Sequence, residues 1–327
     1  DPKWEVPHFE KMLYDQAMML INYSLGYFLF NDSTYKNTIE RILFSLKDTF
    51  ETNHLYMSGQ DADTNHEEGK TYLWNENDFK NIKNSSFSDF ESTNFEGKFH
   101  ITSAPNTDSL DELYKIRKSR DQPEVDTKIV TSWNALLGVA FCFVEKFANI
   151  KTKADKHYWE LIKQKNFHTT NNNEKQHNYF LEDAASILLL QTYLFEKGIV
   201  SITELTKQYN ELLQFNIDNR WVENPNSDFN IVTAQQFDHP LPSTQSILNW
   251  AILRYKIIID DETPDLDYSL PISFDAQNYA SLFEREHRLY KLLNPPDKSE
   301  ILSIFVKDDS NTVCYKGACT PYDPKST

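Results

Sequence analysis

Two kinds of helical segment alternate along the chain, and this alternation limits the fold more than any other feature. From His8 to Phe30 apolar side chains such as Met12, Leu13, Met18, Leu20, Ile21 and Leu25 fall on nearly every side, the pattern of a helix covered all round. The next segment, which Asp32 or Ser33 can cap, keeps Tyr35, Ile39, Ile42, Leu43, Leu46 and Phe50 on one stripe and so predicts a helix with a wet face. The rhythm recurs three times. Val130 to Phe147 is apolar all round and Lys153 to Phe167 is striped; Phe180 to Phe195 is followed by Ile202 to Phe215, and Ile247 to Ile259 by Ala276 to Leu293. A simple bundle would make most helices amphipathic, whereas a two-layer ring of helix hairpins encloses its inner helices and half-exposes its outer ones. The expected class is therefore all-α, an α/α toroid over residues 1–293, with a small extension at 294–327 that holds a strand-like segment.

Inner helices of such a ring run parallel, so their N-termini gather at one rim. Four polar-aromatic motifs stand at these starts: Pro7-His8-Phe9-Glu10-Lys11, Ser132-Trp133-Asn134, Leu181-Glu182-Asp183 and Pro242-Ser243-Thr244-Gln245-Ser246. On a helix His8, Lys11 and Asp15 share one face, while Glu10 points about 200° from His8 and can pair with a neighbour. A histidine and a carboxylate on one face suit proton transfer or, equally, a buried hydrogen-bond network. Trp133 and Asn134 join an apolar plate to an amide, as sugar sites do, though a core indole beside a cap reads the same way. Asp183 and Ser243 suit a pocket and an N-cap alike.

Residues 52–126 form a long excursion, a length that is functional or flexible more often than not, and it can lie over the rim as a lid. Its acidic loop, Asp61-x-Asp63-x-Asn65, begins like a calcium loop but has His66 in place of glycine and Tyr72 in place of glutamate. Asp61 and Asp63 can supply the carboxyl pair of a glycosidase or simply form a solvated Asx turn. Lys70 to Trp74 reads as a strand, followed by a polar stretch. Arg117 and Arg120 precede the second inner helix and can clamp a carboxylate or anchor a loop. Residues 171–178 and 223–229 read as surface loops.

Lysine plus arginine number 33 against 49 aspartate plus glutamate, a net charge of −16, with no basic stripe to meet phosphate backbones or an anionic membrane. No apolar run is long enough to span a bilayer, and three cysteines are too few for a disulfide scaffold, so a cytoplasmic protein is expected. Cys314 and Cys319 lack the C-x-x-C spacing of a redox site. Neither metal nor cofactor is expected. A specific motif begins at Trp4 and the first residue is Asp1, which together suggest a fragment.

Trp4-Glu5-Val6-Pro7-His8-Phe9-Glu10-Lys11-Met12-Leu13-Tyr14-Asp15-Gln16-Ala17 resembles the signature of the spermatogenesis-associated protein 20 family, which includes bacterial YyaL-like proteins. Gln60 to Asp63 with Glu67-Glu68-Gly69, Arg117 to Asn134, Pro242-Ser243 with Ser246, and the late cysteine pair follow in the same order. The resemblance implies a thioredoxin-like domain, absent here, followed by a six-hairpin glycosidase-like (α/α)6 toroid whose first helices are missing. Thr244-Gln245 departs from the family's usual residues. Two functions follow as expectations. One is a carbohydrate-binding or carbohydrate-active toroid for a sugar-like small molecule, with His8, Asp61, Asp63 and Asp183 moving protons and Glu10, Lys11, Arg120, Trp133, Asn134 and Ser243 holding substrate. The other is a helical scaffold that positions the thioredoxin-like domain or a client protein.

Overall fold

A computed structural model describes residues 7–82, 85–171, 174–226, 231–235 and 239–259, together with strands at 306–307, 312–315 and 318–321. The helices are α1 (Leu13–Phe30), α2 (Ser33–Ser45), α3 (Thr107–Lys118), α4 (Thr131–Phe143), α5 (Ala154–Ile162), α6 (Leu181–Glu196), α7 (Ile202–Leu212) and α8 (Thr244–Ile259). The segment expected as a helix over Ala276 to Leu293 lies outside the described residues. The chain divides into two compact units, one of residues 1–12 and 58–127, the other of residues 13–57 and 128–327.

The larger unit is built on α1, α4, α6 and α8, which pack one on the next in that order. Contacts at both ends fix their direction. Tyr14 meets Trp133 at the starts of α1 and α4 (4.9 Å between ring centres), and Phe28 meets Phe147 at their far ends (5.2 Å). Asp183 joins Ser132 at the starts of α4 and α6, while Phe143 meets Tyr193 near their ends. Trp250 touches Tyr193, and one turn later Arg254 pairs with Glu196. Neighbouring apolar helices are therefore parallel, and α2, α5 and α7 each return along the preceding helix.

Sequence chemistry explains the elements. Every residue of α4 except Trp133 is buried, and α6 is buried from Leu181 to Leu194 but for Glu182. Gly138 allows this packing, since a Cβ there would lie 2.7 Å from Leu190. Truncating Leu137 or Leu189, both without exposed surface, would cost roughly 2–5 kcal/mol. Two of the outer helices carry side-chain caps: Asp32 accepts from Thr34 N–H at 2.8 Å before α2, and before α7 Ser201 and Glu204 bond each other's backbone. A wider π turn extends α2 over Leu46–Phe50 and α4 over Val144–Ala148, and left-handed Asn149 (φ 53°) closes the latter.

Several sequence expectations need correction. The first helix starts at Leu13, because Lys11–Met12 pair with Gly59–Gln60 as a short antiparallel strand, so His8, Lys11 and Asp15 share no helical face. Nor is α1 covered all round, since Met19, Phe28 and Phe30 are exposed. Residues 167–171 and 174–178 form a hairpin rather than a plain loop, and its first strand pairs with Ile129–Val130. In the late strands Cys314 stands opposite Cys319.

In the smaller unit, Gly59–Gln60 is the middle strand between Lys11–Met12 and Val125–Asp126. The acidic loop is a small hairpin, Asp63–Thr64 against Glu67–Glu68, turned by Asn65 and His66 at positive φ (53° and 63°). Gly69, at φ 68°, lies against the Phe9 ring, where a Cβ would come within 2.7 Å. Leu73 precedes Trp74, which bridges Phe99 instead of continuing a strand from Lys70. The polar stretch beyond it holds a hairpin, Glu91–Phe95 with Lys98–Ser103, and then α3, capped by Asn106. Trp74, Phe79, Ile82, Phe90 and Leu113 make this unit's own core.

Candidate functional site

The first turn of α6 brings two carboxylates and a histidine together. Phe180 is extended, and Asp183, three residues on, reaches back to accept its N–H at 3.0 Å. The same carboxylate accepts from Ser132 N–H at 3.0 Å and faces His168 Nδ1 at 3.0 and 3.1 Å. One fully buried side chain thus ties two helix starts to a strand. His168 arrives there because its strand pairs with the residues just before α4, Val130 opposite Thr169, and Thr131 Oγ1 donates to Phe167 O at 2.6 Å.

Glu182 lies beside this pair, its Oε1 3.3 Å from His168 Nδ1, with about 31% of its side chain exposed. Burial, reinforced by the charges of Asp183 and Glu223, pushes the Glu182 carboxyl up to about 7 against the pull of His168. Asp183 is raised too, by burial, although His168, Phe180 and Ser132 all stabilise its charge. Burial opposes charge on His168, yet the hydrogen bond and charge of Asp183, with Glu182, leave its pKa raised. A partly exposed carboxyl that exchanges its proton near neutral pH is what general acid–base chemistry requires.

One ligand atom from each of His168, Glu182 and Asp183 fits within 4.8 Å, a spacing at which a divalent ion can be held. Asp183 already takes three donors at the positive end of α6, and both circumstances oppose a cation. Proton chemistry suits the cluster better.

Other candidates take varied places. Trp133 is the partly exposed member of α4, edge-on to Tyr14 and next in sequence to the Ser132 amide that Asp183 holds. Asn134 is fully buried; its Oδ1 accepts from Tyr56 N–H at 2.9 Å and its Nδ2 donates to Tyr56 O and Val130 O. Ser243 caps α8, accepting from Ser246 N–H at 3.1 Å. In the smaller unit Asp61 and Asp63 are exposed, with Asp61 Oδ1 accepting from Asp63 N–H in an Asx turn. His8 and Glu10 are both exposed in the segment before the first strand. Lys11 Nζ donates to Tyr72 OH at 2.6 Å, and Arg120 donates to Thr71 O and Leu73 O.

Sequence reasoning singled out Asp183 but gave no role to His168 or Glu182. Glu182 was visible within the Leu181-Glu182-Asp183 motif, whereas His168 falls in a strand that carries no period of its own.

No family model matches the chain. It is 24% identical to spermatogenesis-associated protein 20 of Homo sapiens over 190 residues, 42% of this chain and 24% of that protein. With the protein of the same name from Mus musculus it shares 25% identity over 195 residues, 43% of this chain and 25% of the relative. The chain thus spans about a quarter of the length of the curated relatives it matches. These likenesses support a distant relationship.

Proposed function

We propose that the parallel apolar helices belong to a toroid of the six-hairpin glycosidase-like kind, and that the first turns of α4 and α6 bind a sugar-like small molecule. Glu182 gives and takes the proton; Asp183 and His168 hold it in place, and Trp133 offers a stacking face. The observation that carries this reading is the partly exposed Glu182 carboxyl, raised to about 7 beside a buried aspartate. In this scheme Asp183 positions rather than transfers, and Asn134 and Ser243 shape the turns that the sugar meets. His8, Asp61 and Asp63 take no part. A thioredoxin-like domain in a longer parent chain is the proposed covalent partner, on the strength of the resemblance in the first seventeen residues.

A second reading, a non-catalytic scaffold that positions such a domain, draws on the three bonds that commit Asp183 to the fold. A panel of mono- and oligosaccharides tested by thermal shift separates the two, because a ligand of the native state raises Tm. On the sugar reading some member raises Tm, and Trp133→Ala weakens its binding roughly tenfold through lost stacking. With that sugar as substrate, Glu182→Gln keeps binding and lowers turnover on the order of 100-fold or more. If no sugar shifts the wild-type protein, the scaffold reading stands instead.

A further inference from the structure

The Arg117-x-x-Arg120 pair of the smaller unit meets two different fates. Arg120 is engaged on every side: Nη1 donates to Thr71 O (2.9 Å) and Leu73 O (2.7 Å), Nη2 pairs with Asp78 (3.3 Å), and its guanidinium lies 4.0 Å from the centre of the Trp74 ring. Arg117, in the last turn of α3, is held between aromatic rings instead, 5.2 Å from the centre of Tyr114 and 5.5 Å from that of Tyr72. Its Nε is buried without an acceptor, and among the described residues it has no carboxylate partner.

Arg117 thus differs from its neighbour Arg120, which pairs with Asp78. With a net charge of −16, acceptors are plentiful, and Arg254 with Glu196 and Lys165 with Glu211 show buried and half-buried cations that find them. A second cation stands on the same tyrosine, for Lys11 Nζ lies 4.1 Å from the Tyr72 ring centre and donates to its hydroxyl, which in turn donates to Gln60 Oε1 at 2.8 Å. Holding a guanidinium between two rings restricts its rotamers in advance, and its planar fork matches the two oxygens of a carboxylate or phosphate. A half-buried guanidinium held against two rings, with no carboxylate beside it among the described residues, is a preformed partner for an anion.

We infer that Arg117, with Lys11 beside it on Tyr72, binds the oxyanion of a small carboxylate- or phosphate-bearing molecule. This site is built within the smaller unit and shares no residue with the Glu182 cluster, so either reading can fail without the other.

The test titrates the whole chain with sodium phosphate and, separately, with sodium acetate. Chloride keeps ionic strength constant, and the arginine Nε–H resonances report binding. One resonance, missing from Arg117→Lys, should shift saturably at millimolar anion. Arg117→Lys and Arg117→Gln, read through Tm instead, should weaken the anion-dependent stabilisation at least tenfold. A response to phosphate alone points to a phosphate ester and a response to acetate to a carboxylate. Should Arg117→Gln fail to fold, Arg117→Lys carries the comparison. Linear, unsaturable shifts with both anions, or an unchanged affinity in Arg117→Lys, would overturn the inference.

Discussion

Asn134 gives both ends of its carboxamide to the backbone of Tyr56 and a further bond to Val130, so a residue that reads as a hydroxyl-binding amide is spent on joining α4 to the strand at Leu55–Tyr56. Asn134→Ala would leave the Tyr56 N–H and C=O unpaired in a buried setting. We expect a loss of about 2–4 kcal/mol in urea unfolding; a loss under 1 kcal/mol would show that water replaces the amide. Glu182 makes a different prediction. Its folded-state pKa is raised above its ordinary value, so between about pH 4.5 and 7 the folded chain keeps a proton that the unfolded chain has released. Stability from this group therefore falls as pH rises through that window, by about 2 kcal/mol once partial exposure is considered. Glu182→Gln should lose that decline, giving a flatter Tm profile from pH 5 to 8; parallel profiles would contradict the raised pKa. At this scale the sequence shows Trp133, Asn134 and Asp183 as polar groups at helix starts, but not whether each side chain turns to backbone or to solvent. That choice depends on the neighbouring chain, Tyr56 for Asn134 and Ser132 with His168 for Asp183.

Between elements, Arg254 is the clearest cross-brace. It is fully buried on α8, donates Nε to Thr192 Oγ1 at 2.9 Å, pairs with Glu196 and lies 3.6 Å from the centre of the Tyr193 ring. Burial raises the Glu196 carboxyl, while Arg254 and Lys146 pull it down. Removing the arginine leaves that carboxylate with Lys146 alone, at 3.3 Å, so Arg254→Ala should cost about 3 kcal/mol, and Arg254→Ala with Glu196→Ala should cost less than the sum of the two single changes. Additive costs in chemical denaturation would mean that the pair is uncoupled. The long helices were legible for two reasons: α4 and α6 stand out as unbroken apolar runs too long for a strand, and α7 as a stripe of period 3.6 sustained over three turns. Two-residue strands such as Lys11–Met12 carry no period, and the ladder with Gly59–Gln60 depends on a partner some fifty residues away. The same limit hid the hairpins at 91–103 and 167–178, whose polar sequences resemble loops.

Across the larger unit, burial is uneven along the layer of parallel helices. α4 and α6 each have an apolar neighbour on either side, whereas α1 leaves Met19 (42%), Phe28 (50%) and Phe30 (69%) open. This apolar edge should bind a hydrophobic dye, and Met19→Lys with Phe30→Ser should reduce the dye signal at a cost of no more than about 1 kcal/mol in stability. An unchanged signal would place the dye elsewhere. The Asp183 carboxylate has a further consequence for this layer. By gripping an amide in the first turn of α4 and another at the start of its own helix, it acts as a locating pin for the axial stagger of the two rods. A slip of one residue would move the helices by about 1.5 Å and break the bond to Ser132. The floor between those two rods is therefore indexed from its polar end, and side chains farther down, Phe143 against Tyr193 among them, inherit their phase from a single carboxyl group.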